Sequence, residues 1–276
     1  MKVYLSIDME GLAGISHPHP TGRADSGYPA AVALMVDEAN AAIEGALAGG
    51  ADEVLVNDSH GGMYNLRPAD LHPAARVLQG QKAMSMVAGA GPDAGIVVAL
   101  FVGYHARAGH PRGTIAHTYS GAPTLTRLNG RPVGVTGINA AVLGVWGIPV
   151  GLVAGDDALA DEVGEWLPWA ERVVVKEAAG GNAAASLHPS RAQDLVRAGA
   201  ERATRRAANG TDLRPLVIDP PVVIEVDYRN GIQADYAALV PGAERTGDRG
   251  VLFAAPDAVM AYRGFLAGVR LAGIVD

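Results

Sequence analysis

Lys2-Val3-Tyr4-Leu5-Ser6-Ile7-Asp8-Met9-Glu10-Gly11 opens as an apolar β-strand and closes in two carboxylates. Side chains alternate along a strand, so Asp8 and Glu10 fall on the same side of the chain. Two like charges that close repel one another unless a cation or a shared proton holds them. Gly11 lets the backbone turn sharply after them. We read the stretch as half of a metal site. A strand that runs into solvent with two hydrated acids is the alternative that these residues alone leave open.

Outward from this strand the pattern repeats. Residues 30–47 form an amphipathic helix, with Leu34, Ile43 and Leu47 apolar and Asp37, Glu38 and Glu44 polar. Gly49-Gly50 stops it. Residues 53–57 are a second short strand, running into Asp58-Ser59-His60-Gly61-Gly62. Strand, helix, strand is the pattern of a parallel sheet. Residues 94–102 are the most apolar stretch and read as a central parallel strand covered on both faces, ending in Gly103-Tyr104-His105-Ala106. Between them, 76–78 reads as a strand and 81–88 as a short helix. Residues 125–135 read as a hairpin turning at Asn129-Gly130. A helix over 137–146, a strand over 149–154, a helix over 158–169 and a strand over 173–176 follow.

The predicted fold class is α/β: a mostly parallel sheet flanked by helices, with a smaller C-terminal α/β portion. The glycine- and alanine-rich stretch 178–186 is the expected seam. It divides a metal-binding α/β domain, 1–180, from a smaller domain, 181–276, packed closely on the first and used in assembly. Beyond the seam, Pro189 opens a helix to 208, suiting its first turn. Strands over 222–228 and 251–254, a short helix over 233–239 and a closing helix capped by Asp257 complete the pattern.

Composition narrows the function. The chain has 276 residues, 49% hydrophobic and 18% charged, which describes a globular protein. With a net charge of −7 and no basic run, nucleic acid is not an expected partner. No cysteine is present, which excludes thiolate zinc sites and a cysteine nucleophile. The apolar run 94–104 is too short to span a bilayer, and the first residues lack a charged-then-apolar signal pattern. No membrane partner and a cytoplasmic location are therefore expected. No G-x-G-x-x-G or P-loop follows the first strand, which disfavours nucleotide binding.

Three strands thus end in side chains able to bind metal: Asp8 and Glu10, then His60, then His105. In open α/β sheets ligands bind at the carboxyl ends of strands, where distant residues converge. Two carboxylates with two imidazoles suit zinc, and less well manganese or iron. A carboxylate in position to bridge makes two ions feasible. Asp58 is the natural partner to orient His60, unless it caps a turn. His17 and His19, in the proline-rich stretch 16–20, are within reach of the site in principle, but a surface loop is the simpler reading.

Ser6-Ile7-Asp8-Met9-Glu10-Gly11 resembles the S-x-D-x-E-G signature of the M55 family of D-aminopeptidases. Asn57-Asp58-Ser59-His60-Gly61, Gly103-Tyr104-His105-Ala106 and Ala116-His117-Thr118 resemble the family's next motifs, in the same order. Gly155-Asp156-Asp157 and Val175-Lys176-Glu177 fit as well, so the resemblance runs over nearly the whole chain. It implies a dinuclear zinc aminopeptidase that releases N-terminal D-amino acids from short peptides, such as D-Ala-D-Ala, by metal-activated water. It implies Asp8, Glu10, His60 and His105 as metal ligands, and His117 as a catalytic residue that is not a ligand. A histidine there can serve as general base or stabilise an oxyanion. It also implies a homo-oligomer, a ring-shaped decamer.

One departure stands out. Where the family reads G-E after the hairpin turn, with that Glu a fifth ligand, this chain reads Gly134-Val135. The expectation is then one tight zinc ion, with a second only weakly held unless water, Asp156 or His17 takes over. Val135 also supports a competing reading: a metal-binding relative with reduced or lost catalysis that acts as a peptide-binding or assembly protein.

Overall fold

In the computed structural model, which describes residues 1–210 and 212–275, β1 (Lys2–Ile7) lies inside a seven-stranded sheet. α1 (Tyr28–Ala48) leads to β2 (Glu53–Asp58) and the short β3 (Ala75–Leu78). β4 (Ile96–Val102) returns to the other side of β1. β5 (Pro123–Leu128) and β6 (Arg131–Pro132) form a hairpin that leaves this sheet, and α2 (Val135–Val145) brings the chain back to β7 (Val150–Asp156). α3 (Asp157–Trp166), β8 (Glu171–Gly180) and β9 (Ala183–Ser186) complete the edge. The chain then runs through α4 (Pro189–Ala208), β10 (Val222–Tyr228), α5 (Gly231–Ala237), β11 (Ala243–Arg245), β12 (Gly250–Ala255) and α6 (Ala258–Ala272).

The first sheet has the order β3-β2-β1-β4-β7-β8-β9 and is parallel except for β9. The chain winds outward from β1 in one direction, then restarts on its other side at β4. Such a reversal opens a crevice at the carboxyl ends of the two central strands. Register sharpens the point: Ile7 pairs with both Asp58 of β2 and Val102 of β4. The residues just beyond all three strands therefore arrive at one level.

Alternation along β1 splits the core in two. Val3, Leu5 and Ile7 pack with Met35 and Ile43 of α1 and Val196 of α4. Tyr4 and Phe101 face the other way, toward α2, α6 and a second sheet. That sheet is antiparallel, in the order β11-β12-β10-β5-β6.

The two segments expected as separate units, 1–180 and 181–276, thus share both sheets. β9 and α4 complete the first sheet and its cover, while β5 and β6 belong to the second. The stretch 178–186 is the turn of a β-hairpin rather than a linker, its small residues lying on an edge. The helix expected over 81–88 is reduced to one 3-10 turn, Ser85–Val87. Ser85 has φ 48, a left-handed conformation that cannot continue a right-handed helix. One segment, Ala258–Val275, is long and apolar enough to match a membrane span, yet Phe265, Leu266 and Val269 within it are buried in the second core.

α1 and α4 cross with very little side chain between them. A Cβ built on Gly45 would lie 2.1 Å from the Arg197 carbonyl oxygen. Gly-to-Ala exchange in a helix normally stabilises by about 1 kcal/mol. Here it forces two backbones apart, and overpacking of this kind costs about 1–3 kcal/mol. Gly45→Ala is therefore expected to lower the urea midpoint at unchanged slope. A higher midpoint would show that the two helices are not in backbone contact.

Candidate metal centre

The ends of β1 and β4 are locked together by backbone. Asp8 N–H donates to Val102 O at 2.9 Å, and Gly11 N–H donates to Gly103 O at 2.7 Å. Gly103 has φ +69, and a Cβ there would meet Asp8 O at 2.1 Å. On Gly11 a Cβ would lie 1.8 Å from Tyr104 O. Only glycine permits this approach at either position. The glycines of two of the recognised motifs thus set the distance between the carboxylate-bearing and imidazole-bearing loops.

The loop after Glu10 is held from below by two buried charges. Lys176 Nζ donates to the carbonyl of Glu10 at 2.5 Å, to that of Leu12 at 3.2 Å, and to that of Ile15. Glu38 Oε1 accepts from Ala13 N–H at 2.9 Å. Burial pushes the Lys176 ammonium down to about 8 and Glu38 up to about 7. Asp156, Glu38 and Glu10 oppose the Lys176 shift, in that order.

Four of the expected site residues meet above this loop. His60 Nδ1 lies 3.0 Å from Glu10 Oε2 and 3.2 Å from Asp8 Oδ1, and its Nε2–H donates to Thr21 O at 2.9 Å. His105 Nδ1–H donates to Ala106 O at 3.0 Å, which leaves the Nε2 lone pair facing Asp8 Oδ2 at 3.7 Å. Asp8, Glu10 and His105 each offer a ligand atom, and these atoms lie within 4.8 Å of one another. His117 is half-buried and stacks on His105, with ring centroids 3.8 Å apart. Its Nδ1–H donates to Ile115 O at 2.8 Å, so in the neutral ring the acceptor nitrogen is Nε2.

The electrostatics favour a cation. Burial, reinforced by Glu10, pushes the Asp8 carboxyl up to about 8. Burial alone would raise Glu10 too, but His60 outweighs it and holds Glu10 well below the carboxylate range. His60 is driven up to about 11: burial opposes its charge, and Glu10 and Asp8 overcome that opposition. His105 is pushed down to about 3 by burial first and His117 next, so its ring is neutral and can ligate. Two buried carboxylates, a neutral imidazole and a second imidazole held on a carbonyl are a donor set that fits a divalent cation.

These residues form the floor of a cavity of about 390 Å³ with apolar walls from Met63, Met86, Leu266 and Val269. Val135 lines it as well. It stands at the first position of α2, buried, rather than on a hairpin strand. Glu162 holds this junction, accepting from Gly134 N–H at 2.8 Å and Arg107 N–H at 3.0 Å.

Three side chains considered for the site on the sequence are engaged elsewhere. Asp58 does not orient His60: it accepts from Asn65 N–H, Asn65 Nδ2 and Leu66 N–H, fixing the following turn, and Thr21 O supports His60 instead. Asp156 caps α3 through Leu159 N–H and also takes Thr114 N–H, so its oxygens are engaged away from the cluster. His17 accepts from His19 N–H in its own loop and does not line the cavity. Sequence reading missed what Lys176, Glu38, Glu162 and Thr21 do. The Val175-Lys176-Glu177 motif marked the lysine, but nothing local marked its contacts.

Comparison with known proteins follows the same line. The model of the peptidase M55 family, D-aminopeptidase, matches residues 1–267. The D-aminopeptidase of Bacillus subtilis strain 168 is 38% identical over 274 residues, spanning 99% of this chain and 98% of that protein. A solved structure of the Zn-dependent D-aminopeptidase DppA from Bacillus subtilis, a self-compartmentalizing protease, matches with a TM-score of 0.92 and 37% identity. The match covers 99% of this chain and 98% of that one.

At pH 7 the raised His60 and Asp8 groups hold protons in the absence of a cation. Metal ligands must be deprotonated, so uptake of a divalent cation releases protons. Calorimetric titration with zinc in buffers of different ionisation enthalpy is expected to show at least one proton released per ion at pH 7. Apparent affinity is expected to rise with pH toward 8. Uptake with no proton release would mean that the ion binds away from this cluster.

Proposed function

The chain belongs to the M55 family of D-aminopeptidases, and on that premise we propose that it is a zinc-dependent aminopeptidase hydrolysing short peptides with an N-terminal D-residue, such as D-Ala-D-Ala. The observation that carries the reading is the cluster of Asp8, Glu10 and His105 on the floor of a cavity, with the imidazole of His117 stacked beside it.

In this reading Asp8, Glu10, His60 and His105 hold the metal. When bound, zinc supplies Lewis acidity, lowering the pKa of water and polarising the scissile carbonyl. His117 is the general base: its Nε2 takes the proton of the attacking water and passes it to the leaving amine. The bond from Nδ1–H to Ile115 O fixes the tautomer that this requires. Glu10 is a poor base because its carboxylate is so strongly stabilised by His60. The apolar walls keep water out and strengthen polar contacts within.

Homo-oligomeric assembly as a decameric ring and a cytoplasmic location belong to the same proposal. The self-compartmentalizing relative supports the assembly. So do the exposed apolar side chains of Val217, Ile232 and Leu239, which favour use of the C-terminal part in subunit contacts. The reading in which turnover is lost has only Val135 in its favour, whereas the meeting of Asp8, Glu10, His60, His105 and His117 around one cavity supports turnover.

The zinc-loaded protein is expected to release D-alanine from D-Ala-D-Ala while leaving L-Ala-L-Ala intact. His105→Ala should weaken zinc binding by more than about tenfold, since even indirect partners of a metal carry that much. His117→Ala should keep its zinc, measured by elemental analysis, and lose kcat by roughly a hundredfold or more. If His117→Ala keeps full turnover, the base is another group.

Val135 sets the stoichiometry. A carboxylate offsets the repulsion between two dications, and an apolar side chain removes both the bond and the charge. The unmodified chain is expected to hold closer to one tight zinc than two. Val135→Glu should raise that number, because its side chain faces the cavity and a carboxylate is favoured in the first turn of a helix. Unchanged zinc content in Val135→Glu would show that this position does not reach the metal.

A further inference from the structure

The cavity over the cluster has charge at both ends. Its floor carries Asp8 and Glu10, only 4% and 7% exposed. Its rim carries Arg270, on the exposed last turn of α6, with Ile274 beyond it. Between them the walls are apolar or hold only hydroxyls and imidazoles, and among the described residues no other Asp, Glu, Lys or Arg lines the space.

Arg270 is oriented there by backbone. One Nη2–H donates to Lys82 O at 3.1 Å, which leaves most of the guanidinium's five donors unused. Arg112, Arg127 and Arg197 each lie against carboxylates, but no acidic side chain among the described residues lies within ion-pair distance of Arg270. The C-terminus of a helix explains a cation on its last turn. It does not explain why that cation faces a cavity with an acidic floor.

A short peptide held by its amino end at the metal site carries its carboxylate at the far end, away from the floor. We propose that Arg270 is a specificity-determining residue that receives the C-terminal carboxylate of the peptide at the cavity rim. The inference rests on the aminopeptidase reading and deepens it. The metal site on the floor takes the amino end of the peptide, the rim takes the acid, and peptides are selected by the span between the two. Guanidinium matches carboxylate with two parallel hydrogen bonds, which gives direction as well as attraction. The group does not touch the reacting atoms, so its effect falls on substrate binding.

The test compares D-Ala-D-Ala with its C-terminal amide, using the zinc-loaded full chain in its native assembly. The wild-type protein is expected to prefer the free acid, chiefly through a lower KM. Arg270→Gln should raise KM for the acid by about tenfold or more, the worth of a hydrogen bond to a charged partner. It should leave kcat, zinc content and all constants for the amide nearly unchanged. Arg270→Lys, which keeps the charge but not the fork, should recover part of the preference. Equal losses on acid and amide would assign Arg270 a structural role and overturn the inference. So would unchanged kinetics in Arg270→Gln, or discrimination that is lost only in Arg229→Gln, which alters a neighbouring cleft shared with Glu10 and His117. If the wild-type protein hydrolyses neither peptide, the aminopeptidase reading itself fails and takes this inference with it. If it hydrolyses both equally well, only the role of Arg270 fails.

Discussion

Asp8 and Glu10 are held side by side, almost out of reach of water, beyond the end of β1, one of the interior strands of the first sheet. Carboxylates in that position raise one another's cost of ionisation, and the surrounding protein has to supply positive charge or protons. Much of the nearby structure answers that demand. His60 is pulled toward the charged form by the pair and anchored on Thr21 O. His105 is kept neutral by its depth and presents a lone pair. Lys176, almost fully buried, spends its donors on backbone carbonyls of the same loop rather than on the carboxylates. A lysine that paired directly with Glu10 would compete with a metal. Set beneath the loop, it lends positive potential and leaves the carboxylate oxygens facing the cavity.

The division of labour between local and distant residues explains how far the sequence could be read. Residues with a local signature were legible. β1, β2 and β4 announce themselves as apolar runs, and each ends in a motif whose acid or imidazole reaches the site. The capping role of Asp257 was legible too, because a cap is defined within four residues. What depends on pairing across long separations was not. No local pattern says that β5 would join β10 instead of the parallel sheet, so the boundary placed near residue 180 cut across both sheets. Asp58 looked like the partner of His60 because it is two residues away. The turn that follows takes its oxygens for Asn65 and Leu66 instead.

Val135 is instructive for a different reason. On the sequence it closes the hairpin read over 125–135, as a residue of its second strand. In the structure the hairpin ends at Pro132 and the helix begins at Val135 itself. The residue therefore meets the cavity through the first turn of α2, where Gly134 gives up its amide to Glu162. A buried carboxylate thus does lie close to this position, but it faces the backbone. Its burial pushes it up to about 7, and two amide donors are what oppose that shift first.

The order in which the walls of the cavity occur along the chain has a consequence for biosynthesis. The cluster comes from the first half of the polypeptide, whereas Leu266 and Val269, which close the cavity, belong to α6 near its end. The hairpin β5–β6 must also wait for β10 before it has a sheet to join. On the ribosome, the loops that carry Asp8, Glu10, His60 and His105 emerge and can fold on the parallel sheet while the chamber above them still lacks a wall. The nascent chain therefore carries the carboxylate and imidazole loops before the chamber over them, and the cavity gains its last wall only with α6.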